Sequence, residues 1–171
     1  PPTVVDPLGL REAPATQAPR SAPLWQRLET SYTFDVQLAV RTGVTDVIET
    51  LDIRNPTDEP LSQLNLSVLT GATKEFRLES VIRDGHAVTP RWTNDANLRV
   101  DLDPALTDGL TRLVIAFRVR PTDDTSSSLA TRTSIADGII RYGGWFPIVS
   151  DGHGSRPPGD AELSPGLAAT L

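Results

Sequence analysis

The stretch TSYTFDVQLAV, residues 30–40, decides the fold class of this chain because its apolar side chains recur at every second position. Tyr32, Phe34, Val36, Leu38 and Val40 point to one side of an extended chain, and polar or small residues point to the other. Alternation of aromatic and β-branched residues with polar ones is typical of a strand that is buried on one face. The stretch therefore predicts a half-buried β-strand.

The same alternation recurs through the middle of the chain. It is present in TDVIETLDIR (45–54), SQLNLSVLTG (62–71), FRLESVIRDG (76–85), NLRVDLD (97–103) and RLVIAFRVR (112–120). Asp84-Gly85 is a hairpin dipeptide, so we expect a partner strand at residues 86–92. One helical turn fits residues 24–28. Seven to nine strands at about ten-residue spacing predict an all-β fold, an antiparallel two-sheet sandwich or saddle.

Prolines divide the chain into a core and two tails. Six of the fifteen prolines fall within residues 1–23, which have no hydrophobic period and are predicted to be a linker or tail. Residues 24–154 form the predicted β-sandwich domain, with prolines only where strands are expected to end. Residues 155–171 are predicted to be a Pro/Gly-rich connector to a downstream domain that this chain lacks. Residues 121–138 are predicted to be a polar loop, either functional or a disordered excursion.

Composition excludes several functional classes. The net charge of -6 argues against a nucleic-acid partner, because phosphate contacts require a basic face. No apolar run is long enough to insert into a membrane. With two histidines and no cysteine, the chain cannot build a thiolate site or a three-histidine zinc site. We therefore predict no catalytic residue, no metal site and no cofactor within this segment.

Asp151 and His153 are the one candidate pair of metal ligands in the sequence. A carboxylate two residues from an imidazole can share a metal or orient the ring. Glycines on both sides of His153 favour the alternative, a flexible turn.

Tyr142, Trp145, Phe146 and Pro147 form an aromatic segment next to Gly143-Gly144. Such a cluster can be an interface anchor, or it can fold back onto the core. The sequence leaves both interpretations open.

The order of motifs resembles the N-terminal β-domain of the aminopeptidase-N-like zinc metallopeptidases, peptidase family M1. The similarity covers residues 30–154. It consists of the alternating strand at residues 30–40, a strand ending in Ile53-Arg54-Asn55, the pattern of Leu102, Leu106 and Gly109 before an apolar strand, and GGWFPIVSDG at residues 143–152. In well-known members a Gln-containing segment precedes a Phe-Pro-Cys-x-Asp stretch. The matching residues here, TRTSIADGIIRYGGWFP (131–147), have no Gln and no Cys, and the spacing from Pro147 to Asp151 is longer. No substrate-binding residue is therefore carried over.

The resemblance implies a saddle-shaped, non-catalytic domain that packs against a catalytic domain and shapes its cleft. The partner would be the downstream catalytic domain of the same polypeptide, which would hold any zinc. The Pro-rich start is similar to a spacer after an export signal or lipid anchor, so we expect an extracytoplasmic location, secreted or at the cell surface.

Two other functions remain open from the sequence. One is a stand-alone extracytoplasmic sandwich that binds a protein or a glycan, with Trp92, Trp145 and Phe146 as an exposed platform. The other is a hydrolase complete within these residues, which the lack of any nucleophile motif disfavours.

Overall fold

A computed structural model describes the central part of the chain and three short strands near its end. The described residues are 21–68, 76–121, 133–136, 139–142, 144–153 and 167–170, and of 133–136, 139–142 and 167–170 only the backbone is described. In chain order the elements are α1 (Leu24–Arg27), β1 (Glu29–Ala39), β2 (Val44–Asn55), β3 (Leu61–Ser67), β4 (Phe76–Arg83), β5 (His86–Val88), β6 (Arg91–Asn94), β7 (Asn97–Leu106), β8 (Gly109–Val119), β9 (Thr133–Ala136), β10 (Ile139–Tyr142), β11 (Ile148–Ser150) and β12 (Leu167–Thr170). The expected helical turn is confirmed as α1. No helix in these ranges has the length and hydropathy needed to cross a membrane.

Nine of the strands form two antiparallel sheets. The five-stranded sheet has the order β1-β2-β8-β4-β5, and the four-stranded sheet has the order β11-β3-β7-β6. The predicted all-β sandwich of seven to nine strands is thus confirmed. A further three-stranded sheet, β12-β10-β9, joins the end of the described chain to the segment after β8.

The core lies between the two large sheets and follows from the alternation in the sequence. On β8, Leu113, Ile115, Phe117 and Val119 are at most 1 % exposed, while the residues between them reach solvent. The neighbouring β2 buries Val47, Leu51 and Ile53, and the opposite sheet contributes Leu64, Leu66, Leu98 and Val100. Each such side chain stabilises the fold by about 1.5–3 kcal/mol relative to an exposed one.

The strand that begins the pattern, β1, lies at the edge of its sheet. Tyr32, Phe34 and Leu38 are half-buried and pack against the core, as predicted. Val36 is 40 % exposed, and Val40 lies beyond the end of the strand and is 53 % exposed. An edge strand has a neighbour on one side only, so its apolar face is less completely covered than alternation alone predicts.

Asn55 at the end of β2 closes the turn that follows. Its side chain is fully buried, and Nδ2 donates to the carbonyls of Glu59 at 2.8 Å and Leu106 at 2.9 Å. Oδ1 accepts from Thr57 N at 3.1 Å and from Thr57 Oγ1 at 2.8 Å. One amide therefore satisfies four backbone or hydroxyl groups, which gives a physical reason for an asparagine at this strand end.

The expected hairpin at Asp84-Gly85 is confirmed, since both residues have positive φ, 47° and 86°, and join β4 to β5. The single partner strand expected over residues 86–92 is wrong. β5 pairs with β4 in one sheet, whereas β6 pairs with β7 in the other. Pro90 stands between them, and because it has no N–H it interrupts a ladder where the chain changes sheet.

Short strands also occupy segments that the sequence did not assign to the sheet. β9 lies inside the region expected to be a polar loop, so that expectation is wrong at Thr133–Ala136; residues 122–132 and 137–138 lie outside the described residues. β9 and β12 both pair with β10. β12 falls within the expected connector, while most of the Pro-rich start, residues 1–20, is outside the described residues.

Candidate functional site

The aromatic segment after β10 packs against β1 and β8. Trp145 lies 5.5 Å from Phe34 and 6.1 Å from Phe117, measured between ring centroids. Phe146 contacts Phe34 edge-on at 4.8 Å and Tyr32 at 6.0 Å. These five rings, here called the aromatic cluster, close the side of the sandwich between β1 and β11.

The members of the sequence-predicted interface have different environments. Trp145 is 4 % exposed and Pro147 is buried, whereas Phe146 is half-buried. Of Tyr142, only the backbone in β10 is described. Trp145 packs as a core residue within this chain; whether Phe146 contacts a partner stays a prediction.

Trp92 lies apart from the aromatic cluster. It belongs to β6, is 44 % exposed, and contacts Phe76 edge-on at 6.1 Å. Phe76 in turn stacks on Phe117 at 5.1 Å. Trp92, Trp145 and Phe146 therefore do not form one exposed platform, because Trp145 lies between the sheets.

Asp151 contacts the backbone of His153. The carboxylate Oδ1 of Asp151 accepts from the His153 N–H at 2.7 Å, and the Gly152 N–H donates to Ser150 Oγ at 3.2 Å. Gly152 has φ +82°, which a glycine adopts freely. The four residues form a tight turn. Among the described residues, no group of three or more His, Cys, Asp or Glu side chains could hold a metal ion.

A cavity of about 190 Å³ lies beside this turn, between α1 and β3. It is lined by Trp25 of α1, by Gln63 and Asn65 of β3, and by Ser150 and Asp151 of the turn. Four leucines, Leu24, Leu28, Leu61 and Leu64, also line the cavity, and Leu64 is 1 % exposed. We refer to this site as the Trp25 cavity.

Sequence reasoning did not find the Trp25 cavity. The available signals were a tryptophan in a one-turn helix and two amides, Gln63 and Asn65, spaced two residues apart on a strand. Side chains at i and i+2 share a face of a strand, so the amide pair was predictable. Its position next to α1 was not, because that depends on tertiary packing.

A band of apolar side chains crosses the outer face of the five-stranded sheet, the face away from the core. Its members are Ile48, Ile82, Val114 and Ala116. Ile48 stands opposite Ala116, and Val114 stands opposite Ile82. Ile48 is 46 % exposed and the other three are partly exposed. We call this band the outer stripe.

Two ion pairs flank the outer stripe on β2 and β8. Arg118 Nε donates to Asp46 Oδ1 at 2.6 Å on one side. On the other, Arg112 donates from Nε and Nη2 to the two oxygens of Asp52, at 2.7 and 2.9 Å. The hydrogen bond from Arg112 lowers the pKa of Asp52, because it favours the charged carboxylate. The stripe therefore has an apolar centre and a charged rim.

Glu49 is a carboxyl group in the core. It lies on β2 between Val47 and Leu51 and is fully buried, and neither oxygen has a hydrogen-bond partner among the residues that the structure describes. Its partners across the ladders are Phe34 and Ile115. Burial raises the pKa of Glu49 well above its ordinary value, because the charged form loses its hydration.

Comparison with known proteins gives a likeness in structure. No family model and no curated protein sequence matches the chain. A mutant of the M1 zinc metallopeptidase from Deinococcus radiodurans matches with a TM-score of 0.52 and 17 % identity, over 70 % of this chain and 28 % of that chain. The chain has a fold found in M1 zinc metallopeptidases. The resemblance expected from the order of sequence motifs is thereby confirmed at the level of the fold.

Two further M1 structures show the same similarity in fold. The Deinococcus radiodurans mutant bound to a Tyr-Ser-Ala substrate gives a TM-score of 0.50 at 17 % identity, again over 70 % of this chain and 28 % of that one. A two-domain M1 zinc metallopeptidase mutant bound to L-tryptophan gives 0.53 at 17 % identity, over 70 % and 29 %. The present chain thus spans less than a third of the length of the M1 structures it matches.

Proposed function

We propose that this chain is a non-catalytic β-domain of an M1-like zinc metallopeptidase, which packs against a catalytic domain of the same polypeptide and shapes its cleft. The observation that carries the proposal is the shared fold, which accounts for 70 % of this chain but only 28 % of the matched chain. Zinc would be held by the catalytic domain. The contribution of this domain would be shape and contact.

The outer stripe is the surface that we propose for this packing. Interfaces between domains combine an apolar centre with a polar rim, and the stripe with its two flanking ion pairs has that composition. Phe146 is a second candidate contact, because it is the half-buried member of the aromatic segment at residues 145–147. The alternative module with an exposed aromatic platform has less support, since Trp145 is 4 % exposed.

The proposal is tested first on the coding sequence that adjoins this chain. We expect it to encode an HExxH motif followed by a downstream Glu on a helix, the ligand pattern of a zinc peptidase. An unrelated neighbouring domain would overturn the proposal.

The packing is tested by mixing that catalytic domain with this chain and measuring their affinity by calorimetry. Ile48→Asp, which places a charge at the most exposed member of the outer stripe, is expected to weaken binding at least about tenfold, the effect of roughly 1.4 kcal/mol. Val40→Asp is the matched control, because Val40 is similarly exposed but lies outside the stripe. Equal loss in both variants, or in neither, would remove the stripe from the proposal.

An extracytoplasmic location is part of the same proposal and is supported by the Pro-rich composition of residues 1–23. Fractionation of the source cells with an antibody against this chain tests it. Recovery from the medium or the cell surface is expected, and recovery from the cytosol alone would contradict it.

A further inference from the structure

The Trp25 cavity has an unusual wall, because Trp25 does not contribute to the core as its neighbours do. Leu24 and Leu28 both pack against the buried cluster. All three residues line the cavity, but Trp25 is half-buried and is not among the residues that pack against that cluster. A large aromatic side chain that leaves part of its face in a cavity has apolar area available to a ligand.

Polar groups that can both donate and accept stand on the neighbouring wall. Within the part of the chain that the structure describes, the side chains of Trp25, Gln63 and Asn65 make no hydrogen bond. Each amide offers an N–H₂ and a carbonyl oxygen, and the indole offers one N–H. The cavity therefore presents hydrogen-bonding groups of both kinds beside an aromatic ring.

The position of the amides is fixed by the local structure of β3. The pairing of β3 with β7 shifts register between Leu61 and Gln63, so Gln63 is exposed although the leucines around it are buried. Asn65 follows two residues later on the same face and is held against Gly152, where a Cβ would stand 2.9 Å from Asn65 Cγ. The wall is thus preorganised by the strand and by the turn at residues 150–153.

These features specify the class of ligand. Hydroxyl groups donate and accept, as side-chain amides do, and the C–H face of a sugar ring is apolar enough to pack on an indole. The volume of about 190 Å³ is smaller than a cavity for a drug-sized ligand, which begins near about 300 Å³. Asp151 is among the lining residues, and its negative charge disfavours an anion. We propose that the Trp25 cavity binds one neutral saccharide unit, either a free sugar or one residue of a glycan.

The proposal is tested on the 171-residue chain by nitrogen-15 NMR. Glucose, galactose and N-acetylglucosamine are titrated separately to millimolar concentrations, and the three tryptophan indole N–H signals are assigned with Trp→Phe variants. At least one sugar is expected to shift the Trp25 indole signal in a saturable manner, while the signals of Trp92 and Trp145 stay in place. A Trp25 signal that none of the three sugars shifts overturns the proposal.

Variants then assign the binding to the cavity. Trp25→Ala is expected to reduce the affinity for the sugar at least about tenfold, and Gln63→Ala to reduce it about fivefold. A tenfold change in affinity corresponds to about 1.4 kcal/mol of binding free energy. Trp92→Ala and Gln37→Ala are the matched controls, because both side chains are exposed at other places on the sandwich. If Trp25→Ala perturbs the fold, Gln63→Ala decides, since Gln63 is an exposed residue.

A cationic probe separates the saccharide from the main competing ligand. Tetramethylammonium could also pack on an indole, beside a carboxylate. A response to tetramethylammonium with no response to any sugar would overturn the proposal, as would sugar binding that survives both Trp25→Ala and Gln63→Ala. Sugar binding lost in those two variants and kept in the two controls supports it.

Discussion

The hydroxyl oxygen of Tyr32 on β1 accepts a hydrogen bond from the backbone N–H of Val149 on β11, 3.2 Å away and 117 residues later in the chain. The bond joins the edge of the five-stranded sheet to the edge of the four-stranded sheet. β11 lies at the edge of its sheet, where some N–H groups have no neighbouring strand to bond to. The Tyr32 hydroxyl supplies a hydrogen-bond acceptor for one of them.

Tyr32→Phe is expected to lower the free energy of unfolding by about 1 kcal/mol, the usual net value of one hydrogen bond. The phenyl ring keeps its contact with Phe146, so the effect isolates the hydroxyl. Urea unfolding measures the loss, and hydrogen exchange at Val149 should become faster. Thr33→Ala, on the exposed face of the same strand, is the control and should leave both quantities unchanged.

Replacement of Glu49 changes how stability depends on pH. The pKa of Glu49 is raised by burial, so between the ordinary value of about 4.3 and this raised value the folded state keeps a proton that the unfolded state has released. In that window the free energy of unfolding falls by about 1.4 kcal/mol per pH unit. The free energy of unfolding is therefore highest at pH values below the ordinary pKa of a glutamate, and it stops falling at pH values above the raised pKa of Glu49.

Glu49→Gln is therefore expected to flatten this decline and to be more stable than the wild type at neutral pH. Chemical unfolding at a series of pH values measures it. Glu79→Gln, at an exposed position on β4, is the control and should keep the wild-type slope. Parallel pH profiles for wild type and Glu49→Gln would show that Glu49 does not hold a proton in the fold.

Asn55→Ala is expected to destabilise the domain by about 3 kcal/mol, because it leaves the buried carbonyl of Leu106 and the part-buried Glu59 carbonyl and Thr57 N–H without their partner. Thermal and urea unfolding both report this loss. Asn65→Ala is the matched change, since its side chain makes no hydrogen bond within the described residues. A similar loss in both variants would contradict the role of Asn55 in the turn.

Gly152→Ala is expected to be destabilising for two separable reasons. The backbone φ of +82° strains any residue with a Cβ, by about 1–3 kcal/mol. In addition, the new Cβ would meet the Asn65 side chain at 2.9 Å. In an Asn65→Ala background the steric part disappears, so a double-mutant cycle should give a clear coupling energy. Additive effects would show that the two residues do not meet.

The sequence was sufficient to predict the strands that bury one face. The alternation on β2 and β8 predicts which side chains are in the core, including the position of Glu49 on the buried face. The positive φ at Asp84 and Gly85 is also predictable, because the dipeptide favours that turn. These features depend on local periodicity and turn chemistry.

The parts that sequence reasoning did not find depend on tertiary structure. At Pro90 the chain passes from one sheet to the other. A proline indicates that a strand is interrupted, but it does not indicate which sheet the next strand joins. Trp25 could not be separated from a core residue by its spacing, because a one-turn helix is too short to show a period. The sequence suits Trp145 equally to core or interface, and only its contacts with Phe34 and Phe117 in the fold identify it as a core residue.

The strand order has a consequence for synthesis of the chain. β2 has its inner neighbour in β8, and the bond from Arg112 to Asp52 joins residues 60 positions apart. During synthesis on the ribosome, β2 of the nascent β1–β2 hairpin therefore has no hydrogen-bonded neighbour on its inner side until β8 has been translated. By then most of the domain has been made. A truncation before Gly109 should therefore yield aggregates in place of a smaller folded unit.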